Sequence, residues 1–328
     1  MREIVITEPG GPDVLELREA PEPEPGPGEI RVRVRAVGVN RADLLQRRGL
    51  YPAPAEAAPD VPGLEYAGAV DAVGPGVSSW SPGDRVMGLI GGGAYAEAVV
   101  VPADLAIPIP ERLSFEEAAA VPEAFITAHD AVFTLIGLQA RDRLLIHAVG
   151  SGVGTAALQL AREAGARVFG TSRSSWKLER AIGLGLELGI DPEVDNFADA
   201  ILEHTSGHGV HGVLDLVGAG YLADNLRVLT LKGRMAVVGL VSGATAELDL
   251  GTLLRNRLTI IGTSLRNRFH DEKVAATRAF AEATLPLLEA GRVRPVIDTV
   301  YPASEVREAH RYMESNRNFG KIVLSWDA

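Results

Sequence analysis

The feature that most constrains this chain is an apolar run that ends in a glycine-rich turn and opens at once into a helix. It reads Leu144-Leu145-Ile146-His147-Ala148-Val149-Gly150-Ser151-Gly152-Val153-Gly154. Small residues at such a turn let the backbone approach a pyrophosphate, whose charge is met by free N–H groups at the helix start. The literal pattern is G-x-G-x-G. A G-x-G-x-x-G frame set to end at Gly154 holds Val149 and Ser151 in its first two positions. A tight strand–helix turn with no ligand is the plain alternative, but the strand before and the helix behind favour nucleotide binding. That helix carries Val153, Ala156, Ala157, Leu160, Ala161 and Ala164 on one stripe, the spacing of a core-facing helix.

The next apolar run, Val168-Phe169-Gly170, ends in Thr171-Ser172-Arg173-Ser174-Ser175-Trp176-Lys177. An enzyme that takes NAD places Asp or Glu here to grip the ribose 2′-hydroxyl. No acid is present. Hydroxyls such as Ser172, with Arg173 and Lys177, would instead neutralise a 2′-phosphate, so NADPH is the expected cofactor. The competing reading makes both cations solvated surface residues at a helix start. Trp176 is expected to pack rather than to cover an adenine.

At 328 residues two domains are expected, and 46% apolar with 23% charged residues is the profile of an ordinary globular protein. The first 120 or so residues read as β-rich. Glu29–Val39 alternates Ile30, Val32, Val34 and Ala36 with Arg31, Arg33 and Arg35, the period of a half-buried strand. Pro and Gly punctuate its surroundings, and Pro21–Pro27 is expected to be an extended connection. From about Val121, short apolar runs alternate with helical periods: 144–146, 168–170, 213–216 and 235–238. Continuous apolar strands separated by helices indicate a parallel sheet covered on both faces, an α/β doubly wound domain of the Rossmann type. Beyond Ser264 come a helical stretch (272–290), strands near 296–300 and 321–324, and a helix near 304–313. They either extend that domain or return to the first.

The chain has no cysteine, which removes disulfides, thiolate nucleophiles and every cysteine-based zinc or iron–sulfur site. A net charge of −11 argues against a nucleic-acid partner. No run approaches the length needed to span a bilayer, and Met1–Ile6 reads as a strand with no signal-peptide core behind it. A cytoplasmic location without membrane association is expected.

Several separate motifs, in order and spacing, resemble those of the zinc-independent quinone oxidoreductases, the zeta-crystallin-like branch of the medium-chain dehydrogenase/reductase superfamily. They are Asn40-x-x-Asp43, Gly49-Leu50-Tyr51-Pro52, Pro62-Gly63-x-Glu65-x-x-Gly68, Gly83-Asp84-Arg85-Val86, the Ser151–Gly154 turn and Gly320-Lys321-Ile322-Val323-Leu324. The resemblance implies a β-rich GroES-like catalytic domain (1–122 and 266–328) interrupted by a Rossmann domain (123–265), with a homodimer or homotetramer as the assembly. It implies an active site in a cleft between the domains. Zinc-dependent relatives carry a Cys before the Asp43 region and a His after Pro62-Gly63; here the corresponding places hold Asn40 or its neighbours and Leu64. No metal is therefore expected, and the acceptor must arrive already electrophilic, as quinones and enones do.

Tyr51 is the expected hydrogen-bond donor to the acceptor oxygen, against the plainer reading of a Tyr packed in a Pro-rich loop. Asn40 is expected to contact the acceptor or the nicotinamide ribose, and Asp43 to cap the helix that starts near Ala42. Glu65 is expected to pair with a nearby Arg. On the cofactor side the resemblance implies roles for Thr127, for the turn Ser151, Gly152, Val153 and Gly154, and for Val217, Gly239, Leu240 and Val241. Thr263, Ser264, Leu265 and Asn318 are implied to close over the cofactor. His147 is expected to be a satisfied core histidine. The expected activity is hydride transfer from NADPH to a quinone or related conjugated carbonyl. Alternatives are a 2-alkenal or enoyl reductase, and a low-turnover NADPH-binding sensor or scaffold.

Overall fold

In the computed structural model, which describes residues 1–54 and 57–327, the chain divides into two compact units. Thr127–Ser264 form one; Met1–Ile126 and Leu265–Ala328 form the other.

The contiguous unit is built on six strands in the order Leu188–Ile190, Arg167–Thr171, Arg143–Ile146, Val210–Asp215, Leu229–Val237, Thr259–Gly262. Every pairing is parallel. Helices Gly152–Glu163, Ser175–Gly183, Phe197–His204 and Leu222–Val228 fall between successive strands. Leu145, Phe169, Val213 and Met235 are buried with Phe197, Ile201 and Leu226, which explains why these strands read as unbroken apolar runs. The strand order reverses between Arg143–Ile146 and Val210–Asp215, and ligands of open α/β sheets bind beyond the carboxyl ends of strands at such a point.

In the discontinuous unit the long strand Glu29–Val39 is central. It pairs antiparallel with Glu65–Val73, with Ala98–Pro102 and with Lys321–Ser325, so the last strand belongs to this sheet. Ile297–Pro302 adds to Lys321–Ser325 in parallel, and Arg85–Leu89 and Ala106–Pro108 extend the other side. Alternation along Glu29–Arg35 follows the sheet's two faces. Ile30, Val32 and Val34 enter the core, while Arg31 and Arg33 form ion pairs with Asp71 and Glu22. From Ala36 to Val39 every residue is buried, and these four pair with the wholly buried last strand.

Candidate active site

The glycine turn lies at the end of Arg143–Ile146. Ser151 caps the helix Gly152–Glu163: its Oγ accepts from Gly154 N at 3.1 Å and its carbonyl from Thr155 N at 2.8 Å. The N–H groups of Gly152 and Val153, the first of the helix, have no acceptor among the described residues, which suits a phosphate. Val149 stands where a glycine is usual, and the structure accommodates it through a second glycine. A Cβ at Gly170 would lie 2.8 Å from the Val149 Cβ, so the bare strand makes room for the valine. His147 is buried between Thr171 Oγ1 (2.9 Å) and Asn225 Oδ1 (2.7 Å). Burial lowers its pKa, holding it neutral, with the proton on Nε2 facing the amide oxygen. Asn225 in turn donates to Asp215, whose other oxygen accepts from Val217 N (2.8 Å) and Gly218 N (2.9 Å).

That carboxylate sets the loop after Val210–Asp215 against the loop after Leu229–Val237. The two meet backbone to backbone: a Cβ on Gly239 would come within 2.6 Å of Leu216 O, and one on Gly218 within 2.9 Å of Gly243 O. Leu240 and Val241 project from this cradle and are exposed. Thr263 follows the last strand of the sheet, its N–H on Val237 O; Ser264 is exposed. At the end of Arg167–Thr171, Ser172 Oγ accepts from Ser174 N. Arg173 is exposed, 3.9 Å from an equally exposed Glu193, a pairing too loose to hold it from a phosphate. The Lys177 ammonium lies 5.4 Å from the Trp176 ring centre. Thr127 is buried in the helical stretch that opens this unit.

In the discontinuous unit, Leu265 is buried and Asn318 donates to Gly320 O at the entry to the last strand. A buried polar cluster is assembled there from four elements. Lys321 Nζ donates to Glu65 Oε1 (2.6 Å), Asn40 Oδ1 (2.5 Å) and Val39 O (3.0 Å). Asn40 Nδ2 donates to the same Glu65 oxygen (2.8 Å) and to Gly38 O. Gly38 is needed: a Cβ there would lie 2.2 Å from Glu65 Oε1. The partner of Glu65 is therefore Lys321, not the arginine expected from sequence, because the last strand places the ammonium directly against it. Both amide hydrogens of Asn40 are used inside this cluster, so the side chain positions its neighbours.

Asn40 precedes the helix Arg41–Arg47, and its N–H is bound by Asp43 at the third helical position (2.8 Å). Asp43 also accepts from Gly63 N and Tyr95 Oη. Burial pushes its carboxyl up to about 6, against the Asn40 N–H and the Lys321 charge. Arg47 can only donate, so the proton of His310 must be on Nε2, facing Tyr95 Oη. The chain Arg47–His310–Tyr95–Asp43 thus has one direction. Burial, then the Arg47 charge, holds His310 down at about 3.

Tyr51 is half-buried beneath Arg266, whose guanidinium carbon sits 4.8 Å from the ring centre. Arg266, itself buried, donates to Tyr51 O (3.2 Å), Gly91 O (2.7 Å) and Gln46 Oε1 (2.6 Å). One side chain therefore ties the Tyr51 segment to the Gly91–Gly93 turn and the first helix. The sequence expectations include Leu265 but not Arg266, although the arginine directly follows it. Among the described residues no group of three His, Asp or Glu side chains is disposed to hold a metal. No described helix is long and apolar enough to cross a membrane.

A parallel sheet with a glycine turn at its switch point, joined in one chain to a sheet bearing a polar cluster, defines a two-domain dinucleotide-dependent oxidoreductase. The sequence matches the alcohol dehydrogenase GroES-like domain over residues 26–111 and the zinc-binding dehydrogenase family over 152–282. It is 36% identical to the human synaptic vesicle membrane protein VAT-1 homolog, across 99% of this chain and 86% of that one. It is 31% identical to the rat quinone oxidoreductase, across 99% and 97%. The crystal structure of Escherichia coli quinone oxidoreductase complexed with NADPH superposes with a TM-score of 0.89 at 29% identity, covering 99% of this chain and all of that one. The chain belongs to the zeta-crystallin-like quinone oxidoreductase branch of the medium-chain dehydrogenase/reductase superfamily.

Proposed function

We propose that the protein is a zinc-free, NADPH-dependent reductase of quinones or closely related conjugated carbonyls, working as a homodimer or homotetramer. The observation that carries this reading is the Asn40–Glu65–Lys321 cluster. Its charges are satisfied internally, Leu64 beside it is apolar and buried, and the sequence offers no thiolate. Such a site supplies no Lewis acid to turn an alcohol into an alkoxide, so it suits an acceptor whose conjugation already absorbs a hydride. Bound NADPH would supply that hydride from its dihydronicotinamide.

The protein's own part is binding and orientation. Gly152 and Val153 N–H would take the pyrophosphate on the turn that Ser151 and Gly154 close. Ser172, Arg173 and Lys177 would take the 2′-phosphate, where an acid would repel it. Backbone of Val217, Gly239, Leu240 and Val241 offers donors and acceptors for the carboxamide, and Thr127, Thr263, Ser264, Leu265 and Asn318 are proposed to border the cofactor. Tyr51, fixed by Arg266, would donate to the acceptor oxygen; Asn40 would hold Glu65 and Lys321 in place.

The test is NADPH oxidation by purified protein over a panel of quinones, enones, 2-alkenals and aldehydes. Quinone turnover well above that of simple aldehydes is expected. A preference for 2-alkenals or acyl enones moves the acceptor class, and tight NADPH binding without turnover on any acceptor sinks the catalytic reading. Arg173→Ala with Lys177→Ala should weaken NADPH by roughly 10–100-fold, the worth of one or two charge-assisted hydrogen bonds, and leave NADH nearly unchanged. Equal weakening of both would show that the 2′-phosphate binds elsewhere.

A further inference from the structure

Four residues before Thr127, Glu123 stands in a π-helical turn, Pro122–Ile126, whose other members are all buried. Wide turns of this kind concentrate at functional sites. The Glu123 N–H donates to Glu65 Oε2 at 2.8 Å, which fixes residue 123 against the buried cluster. Its carboxyl, by contrast, makes no hydrogen bond or ion pair among the described residues. The cations nearby are committed, Lys321 to Glu65 and Asn40, Arg266 to Gln46, Gly91 and Tyr51.

Charged groups from four segments face it: Glu65 on its strand, Asp43 on the first helix, Lys321 on the last strand, and Arg266. Burial first, and the Glu65 anion second, push the Glu123 carboxyl up to about 8, with Lys321 and Arg266 pulling the other way. A carboxyl without a partner beside a fixed anion keeps its proton at neutral pH. The charge of Arg266, which lies over Tyr51, is thus among those acting on this acid.

We propose that Glu123 is the proton donor of the reduction, a catalytic residue acting on the acceptor oxygen; the inference rests on the reductase reading above. Hydride delivered to a conjugated carbonyl leaves an oxygen anion. The Glu123 O–H bond then breaks, its proton forms the new O–H bond of the hydroquinone or enol, and the electron pair stays on the carboxylate. Water returns a proton to Glu123 before the next cycle. Tyr51 need only hydrogen-bond the oxygen, and Glu65 acts as the fixed charge that keeps its neighbour protonated.

Two measurements test this. Infrared spectra of the cofactor-free protein should show a protonated-carboxyl band at neutral pH that fades as pH rises through about 8 and is missing in Glu123→Gln. In steady state, wild-type kcat should fall above that pH, because the donor form is lost. Glu123→Gln should lower kcat by roughly 10²–10³-fold and abolish that limb, with NADPH affinity unchanged. Glu123→Asp should keep the limb with a smaller loss. A neutral-pH spectrum without the band, or Glu123→Gln turning over quinone at the wild-type rate, overturns the donor role and leaves the reductase reading standing. A wild-type protein that reduces no conjugated carbonyl overturns both.

Discussion

At the scale of single residues, the pair Glu65–Lys321 decides whether the polar cluster is an asset or a fault. Both side chains are buried, and a buried ion pair broken from one side leaves the other charge uncompensated. Lys321→Met should therefore cost about 3–5 kcal/mol in denaturant unfolding, whereas Glu65→Gln combined with Lys321→Met should recover most of that loss. Equal instability of the single and double variants would mean that packing, not charge, is at stake. The sequence marks Glu65 as notable but names the wrong partner. The lysine is 256 positions away, and only strand pairing brings it there. The capping role of Asp43 is legible from its local motif. Arg266 and Glu123 are not: Glu123 lies in an apolar run, Arg266 is one of two arginines in a polar stretch, and each owes its meaning to contacts distant in sequence.

Among the elements, the strand–turn–helix at Leu144–Gly154 was the most legible, and its departure from the usual glycine pattern has a visible compensation. Val149 is tolerated because residue 170 on the adjacent strand lacks a side chain. Gly170→Ala should destabilise by about 1–3 kcal/mol and weaken NADPH, as overpacking does, while Val149→Ala added to it should restore both. A double variant no better than Gly170→Ala would show that the two sites are independent. Strands that read as continuous apolar runs were found where expected. The short Leu188–Ile190 and the edge strand Thr259–Gly262 were not singled out, since three or four residues give period-2 patterning too little length to register.

For the whole molecule, composition and patterning gave an α/β unit beside a β-rich one, but residues beyond Ser264 were open from periodicity alone. Strand pairing and compactness assign them to the discontinuous, β-rich unit. The contiguous unit leaves a sheet edge uncovered among the described residues. Its sheet ends at Thr259–Gly262, with no strand on the outer side among the described residues, and Leu248, Leu250 and Leu254 just ahead of it are exposed. An open edge flanked by apolar side chains invites a second copy of the same edge. On the homodimer or homotetramer proposed above, Leu250→Asp with Leu254→Asp should leave a smaller species than the wild type in analytical ultracentrifugation, with NADPH still bound. An unchanged sedimentation coefficient would place the contact elsewhere.

The central strand Glu29–Val39 also dictates an order of events during synthesis. Its partner Lys321–Ser325 leaves the ribosome nearly three hundred residues later, while everything from Thr127 to Ser264 is complete in between. The nucleotide-binding half can thus mature on the nascent chain, but the half that holds Tyr51 must wait with Glu65 still lacking its counter-ion.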